Sequence, residues 1–225
     1  MKKKLISIFV ILICINSMIS CNMKSTSKNE HNKKPRVEDL EHHHEHEHDH
    51  NHEHEHGHDH EHGHHHDISG KEIDTEIGKR TIIKGIDELD ETKSNGPFNF
   101  KINAAQISKL EINQENLEKF NGEKEIYFVT LNLFIEHQSQ GVNKIDFNKS
   151  IILSSNNVEY KADQEKSDPL SGEFNGNAMD QGNLVFIVDS SYEKETKINL
   201  RLPQGVDEGN NPIGNIVDFE INFRD

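Results

Sequence analysis

Residues Val217–Phe223 read Val-Asp-Phe-Glu-Ile-Asn-Phe, apolar at every second position and polar between. Successive side chains of a β-strand point to opposite faces, so this segment buries one face and wets the other. The same parity recurs upstream in Phe98, Phe100 and Ile102, and in Val129, Leu131, Leu133 and Ile135. Further short runs rich in Ile, Val, Phe and Leu lie at Thr81–Ile86, Ser150–Leu153, Val158–Ala162, Leu184–Val188 and Lys197–Leu202. Turn signals punctuate them: Asn95-Gly96-Pro97, Asn121-Gly122, Gln140-Gly141, Asn156-Asn157, Asn175-Gly176, Gln181-Gly182 and Glu208-Gly209-Asn210-Asn211. Helical periodicity is weak. Ser108–Phe120 reads as a short helix or turn whose apolar residues are Leu110, Leu117 and Phe120. The pattern predicts an all-β antiparallel sandwich over residues 70–225.

Three segments sharpen that expectation. Gly96-Pro97-Phe98-x-Phe100-x-Ile102, then Ile126–Glu136 followed by Gln138-Ser139, then Leu184-Val185-Phe186, together resemble a bacterial module. It is the immunoglobulin-like (telokin-like) extracytoplasmic domain of Gram-positive surface lipoproteins. The resemblance spans roughly residues 96–203 and implies an immunoglobulin-like β-sandwich with no catalytic residues to carry over. Two departures stand out. His137 occupies the place where that family usually has Asn, and no Pro follows Phe186-Ile187-Val188.

The N-terminal third has another character. Of 225 residues, 32% are hydrophobic and 29% charged, and Trp is absent. Such a chain cannot be packed core from end to end. The net charge of −15 excludes a general nucleic-acid binder, because an acidic surface repels phosphate. Lys2, Lys3 and Lys4 precede the apolar run Leu5–Ile15, which is too short for a stable membrane span. A charged start, a short apolar centre and a small residue before a break are the parts of a secretory signal, here residues 1–20. Met18-Ile19-Ser20-Cys21 resembles the lipobox of bacterial lipoproteins, with Met18 where Leu is more usual. That resemblance implies a lipidated Cys21 and a chain held at the extracytoplasmic face of the bacterial cell membrane. Each buried acyl methylene contributes ~0.8 kcal/mol of anchoring. Cys14 leaves with the signal, so the mature chain has no partner for a disulfide. An ordinary secreted protein with a leftover thiol is the plainer alternative.

Residues 21–41 lack apolar periodicity and read as a flexible tether. Residues 42–66 follow as HHHEHEHDHNHEHEHGHDHEHGHHH, holding 15 of the chain's 17 histidines and seven acids. Nothing there can form a core, so without ligand the tract is expected to be disordered. The expected metal ligands are His42, His43, His44, His46, His48, His50, His52, His54, His56, His58, His60, His62, His64, His65 and His66. Neutral imidazole suits zinc above all, and also nickel and copper. In an extended His-acid-His chain, neighbouring imidazoles lie ~6–7 Å apart, too far for one ion with Zn–N bonds near ~2.0–2.1 Å. The tract must bend back on itself, eased by Gly57 and Gly63. At three or four ligands per ion it would take roughly four or five ions. The acids would attract cations and act as occasional ligands. Interchangeable ligands without a preformed cage predict moderate affinity and fast exchange. The alternative is a solvating linker.

Other pattern matches fail on context. His44-Glu45-His46-Glu47-His48 fits the zinc-protease motif only because the repeat is trivial, and that motif needs a packed helix beside a cleft. Ser25-Thr26-Ser27-Lys28 lies in the tether without companion motifs. Asp87-Glu88-Leu89-Asp90-Glu91 puts Leu89 and Glu91 at ligand positions of a calcium loop. The chain is therefore expected not to be an enzyme. His137 is expected to close a strand end within the core, with a shared role in metal binding as the alternative. Asp207–Asn211 is expected to be a solvated turn, with weak calcium binding as the alternative. The function expected is a surface lipoprotein that captures, buffers or delivers a transition metal, with a metal transporter or other surface protein as partner. The competing expectation is an adhesion module whose sandwich recognises a protein or envelope partner, with the tract as spacer.

Overall fold

A computed structural model describes residues 66–223. Along the chain the strands are β1 (His66–Asp67), β2 (Glu72–Thr75), β3 (Gly78–Asp87), β4 (Glu91–Asn95), β5 (Phe98–Ile112), β6 (Glu125–His137), β7 (Val142–Lys144) and β8 (Ile151–Leu153). They continue as β9 (Glu159–Lys161), β10 (Glu173–Asn175), β11 (Ala178–Val188), β12 (Lys197–Leu202), β13 (Gly205–Asp207), β14 (Pro212–Ile213) and β15 (Val217–Asn222). Short 3-10 turns occupy Gln114–Phe120, Phe147–Lys149 and Ser190–Lys194. All strand pairs are antiparallel. The all-β sandwich is as expected.

One layer is a seven-stranded sheet in the order β1-β3-β5-β6-β11, with β2 also pairing β3 and β4 pairing β5. The other layer comprises two four-stranded sheets, β15-β12-β8-β9 and β10-β7-β13-β14. The alternating residues fill the space between. Phe100, Ile102, Leu131, Leu133, Ile135 and Phe186 from the first layer meet Ile152, Leu200, Phe219 and Ile221 from the second in one core. Val217, Phe219 and Ile221 are buried while Asp218, Glu220 and Asn222 are exposed, the division expected of a one-sided strand.

Three sequence expectations change. Ser108–Ile112 is not helical: it extends β5 in register with β6, and the 3-10 turn begins only at Gln114. Leu110 and Ile112 support this, because strand parity places them with Phe128 and Val185 in a second apolar cluster on the sheet's outer face. Gln181-Gly182 is not a turn but the middle of β11, where Gly182 faces Leu133. A Cβ there would come within 2.8 Å of Leu170 and 2.9 Å of Asp168, so the glycine marks a loop crossing close to the strand. Pairing also begins earlier than residue 70, since His66 and Asp67 already sit beside β3.

Candidate functional site

The folded part meets the histidine tract at one end of the large sheet. His66 stands in backbone register with Asp87, and Asp67 with Ile86. The next residues secure this junction. The Ile68 N–H donates to the Gly85 carbonyl at 3.1 Å, the Gly70 N–H to the Ile82 carbonyl at 2.7 Å, and the Gly85 N–H to Ser69 Oγ at 3.1 Å. The turn after β3 faces the same end. Glu88 and Asp90 adopt φ of 57° and 50°, a left-handed backbone that non-glycine residues rarely take. Leu89 between them anchors the turn, buried in the core and donating its N–H to the Asn103 carbonyl at 2.7 Å. His66, the last residue of the tract, thus joins the sandwich opposite Asp87 with no spacer.

Of the expected site residues, Cys21 and the ligands from His42 to His65 lie outside the described residues. His66 opens β1. Among the described residues, no group of three or more His, Cys, Asp or Glu is assembled around a cation position. No helix among them is long and apolar enough to cross a membrane.

His137 sits at the end of β6 with no exposed surface. Its Nδ1 lies 2.6 Å from the Gly176 carbonyl, and its Nε2 2.8 Å from Asn143 Nδ2. A carbonyl accepts only, so Nδ1 carries the proton and Nε2 accepts from the Asn143 amide. Phe98 and Phe174 flank the ring at centroid distances of 5.0 and 5.7 Å. Both nitrogens are engaged inside the core. His137 therefore closes the strand end structurally and offers no lone pair to a metal held by the tract.

Asp207–Asn211 folds as the expected turn. The Asn211 side-chain amide donates to Asp207 Oδ1 and Oδ2 at 3.1 and 3.0 Å, the Asn211 backbone N–H donates to Oδ1 at 2.8 Å, and these bonds hold the Asp207 carboxyl below the usual range. Sequence reasoning did not find a cleft of about 640 Å³ between β7, the loop before β10 and the segment around Gln204. Ile145, Phe147 and Leu184 are among its apolar lining residues, and Lys144, Gln164 and Gln204 among its polar ones. Its size is that of an ordinary small-ligand site. No motif could have revealed it, because its walls come from segments more than 50 residues apart.

No family model matches this chain, and no curated protein does. Among solved structures, the fold is similar to that of a functionally unknown protein from Listeria monocytogenes EGD-e. That likeness has 15% identity and a TM-score of 0.51, covering 65% of this chain and 89% of the other. Looser likenesses are the yjhA protein from Bacillus subtilis (11% identity, TM-score 0.39, covering 61% and 99%) and a Bacillus subtilis protein provisionally described as a lipoprotein, ycdA (14% identity, TM-score 0.35, covering 70% and 40%). The Listeria likeness extends to the fold alone.

Proposed function

We propose that this chain is a lipoprotein, anchored through Cys21 at the extracytoplasmic face of a bacterial cell membrane, that captures transition-metal ions on residues 42–66. The observation that carries the reading is the tract itself, fifteen imidazoles in twenty-five residues interleaved with seven carboxylates. Zinc is the favoured ion, with nickel and copper as chemical relatives that imidazole also binds. Exchangeable ligands suit capture and hand-over to a metal transporter or another surface protein. The sandwich, read as an immunoglobulin-like (telokin-like) domain, serves as the body that carries the tract. No reaction is assigned to it. Deleting residues 42–66 should slow growth under zinc limitation and lower cell-associated zinc. Unchanged growth and unchanged zinc would overturn the proposal.

A second reading rests on the cleft lined by Leu184 and Phe147. If the sandwich recognises an envelope or protein partner there and the tract is a spacer, partner capture survives deletion of the tract. It also survives a chelator.

A further inference from the structure

The chain holds three Asn-Gly pairs, Asn95-Gly96, Asn121-Gly122 and Asn175-Gly176. This dipeptide is open to spontaneous loss of the side-chain amide, because glycine has no Cβ to keep its backbone nitrogen from the preceding Asn Cγ. The attack needs two freedoms: a side chain able to turn onto that nitrogen, and an N–H not held by an acceptor. The fold grants them unequally. The Asn95 side chain is clamped, its amide donating to the Asn215 carbonyl at 2.6 Å and its Oδ1 accepting from the Asn215 N–H at 2.8 Å. Asn121 caps the 3-10 turn Gln114–Phe120, and the Gly122 N–H donates to the Leu117 carbonyl at 2.8 Å. Asn175 ends β10, a three-residue strand at the edge of its sheet. It is exposed, and its side chain has no hydrogen-bond partner among the described residues. The Gly176 N–H likewise donates to no acceptor among them, and a Cβ on Gly176 would meet nothing within 4 Å.

We propose that Asn175 is a site of spontaneous deamidation, selected by the fold from the three pairs. The Gly176 nitrogen bonds to Asn175 Cγ as the Cγ–Nδ2 bond breaks, and ammonia leaves with the proton from the Gly176 nitrogen. Water then opens the cyclic imide at either carbonyl, leaving aspartate or isoaspartate at position 175. Neither metal, oxidant nor enzyme takes part, so the chemistry is independent of metal capture by residues 42–66. The position matters because the residues on both sides of it hold His137. Phe174 packs on the ring at a centroid distance of 5.7 Å, and the Gly176 carbonyl accepts from Nδ1 at 2.6 Å. Isoaspartate routes the backbone through Cβ, adding one atom to the chain between these two contacts. The buried clasp at the end of β6 then loosens. The domain thereby carries a slow chemical timer beside its buried histidine.

The test incubates the metal-free full chain in mildly alkaline buffer and follows the amide-to-acid mass gain at each pair by peptide mapping. Asn175 should convert about fivefold faster than Asn121, where one hydrogen bond must break, and more than about twentyfold faster than Asn95, where two must. In urea, which removes the fold, the three rates should draw together. Asn121 or Asn95 converting as fast as Asn175 in the folded chain would overturn the proposal, as would the same ranking in urea. Thermal melts test the consequence for His137. The aged chain should gain a second, lower transition in proportion to its isoaspartate, while aged Asn175→Gln should melt as the fresh variant does. An aged chain that melts unchanged while isoaspartate accumulates at position 175 would overturn the loosening of the clasp. A lowered transition in aged Asn175→Gln would overturn it too, assigning the damage to another residue.

Discussion

The His137 ring is held at both nitrogens, between the Gly176 carbonyl and the Asn143 amide, with phenyl rings on either side. Removing it opens a cavity and leaves two buried polar groups without partners. His137→Ala should cost about 2–4 kcal/mol in urea unfolding. His137→Asn, which keeps one polar arm, should cost less. Tyr192 poses the opposite case. Its hydroxyl is buried, has no hydrogen-bond partner among the described residues, and stacks edge-on with Tyr160 at 5.2 Å. Burial raises its phenol pKa, so above pH ~10 the unfolded chain loses a proton that the folded chain keeps. Stability then falls as pH rises. Tyr192→Phe should leave stability at neutral pH unchanged or raise it by up to about 1 kcal/mol, and should make the alkaline loss shallower. Urea unfolding at pH 7 and above pH 10 would check both effects.

At the scale of elements, the close approach of β3 to β5 rests on a glycine. A Cβ on Gly78 would lie 1.9 Å from the Glu111 carbonyl oxygen, which is backbone and cannot swing away. Gly78→Ala should therefore destabilise the domain by at least about 3 kcal/mol in urea unfolding, through forced separation of the two strands. The long strands were legible because their parity is unbroken, and Lys197–Leu202 matches the sequence run residue for residue. Positive φ at Gly96, Asn121, Asn157, Gly176 and Asn210 explains why those turn signals could be read. The short strands β1, β2, β4, β7, β10, β13 and β14 were missed for a physical reason. They run only two to five residues, too few for an alternation to show, and the edge strand β4 is wholly polar, Glu91-Thr92-Lys93-Ser94-Asn95, with no buried residue to mark it. Gly182 misled because a close crossing and a turn demand the same residue.

Across the whole molecule, the histidine tract names its own chemistry, while its relation to the fold appears only where His66 enters the sheet. His66, the last residue of the tract, lies on the edge strand β1 with Asp87 in register. Metal capture should also depend on pH. A protonated imidazole has no lone pair for a metal, so occupancy should fall as pH drops through ~6.5. The most direct test is native mass spectrometry of the chain, isolated without metal-affinity steps, before and after adding zinc. The account predicts roughly four or five exchangeable zinc ions at pH 7.5, most of them lost below pH ~6 and absent from the chain lacking residues 42–66. The same zinc stoichiometry with and without the tract, or no zinc on the intact chain, would contradict it.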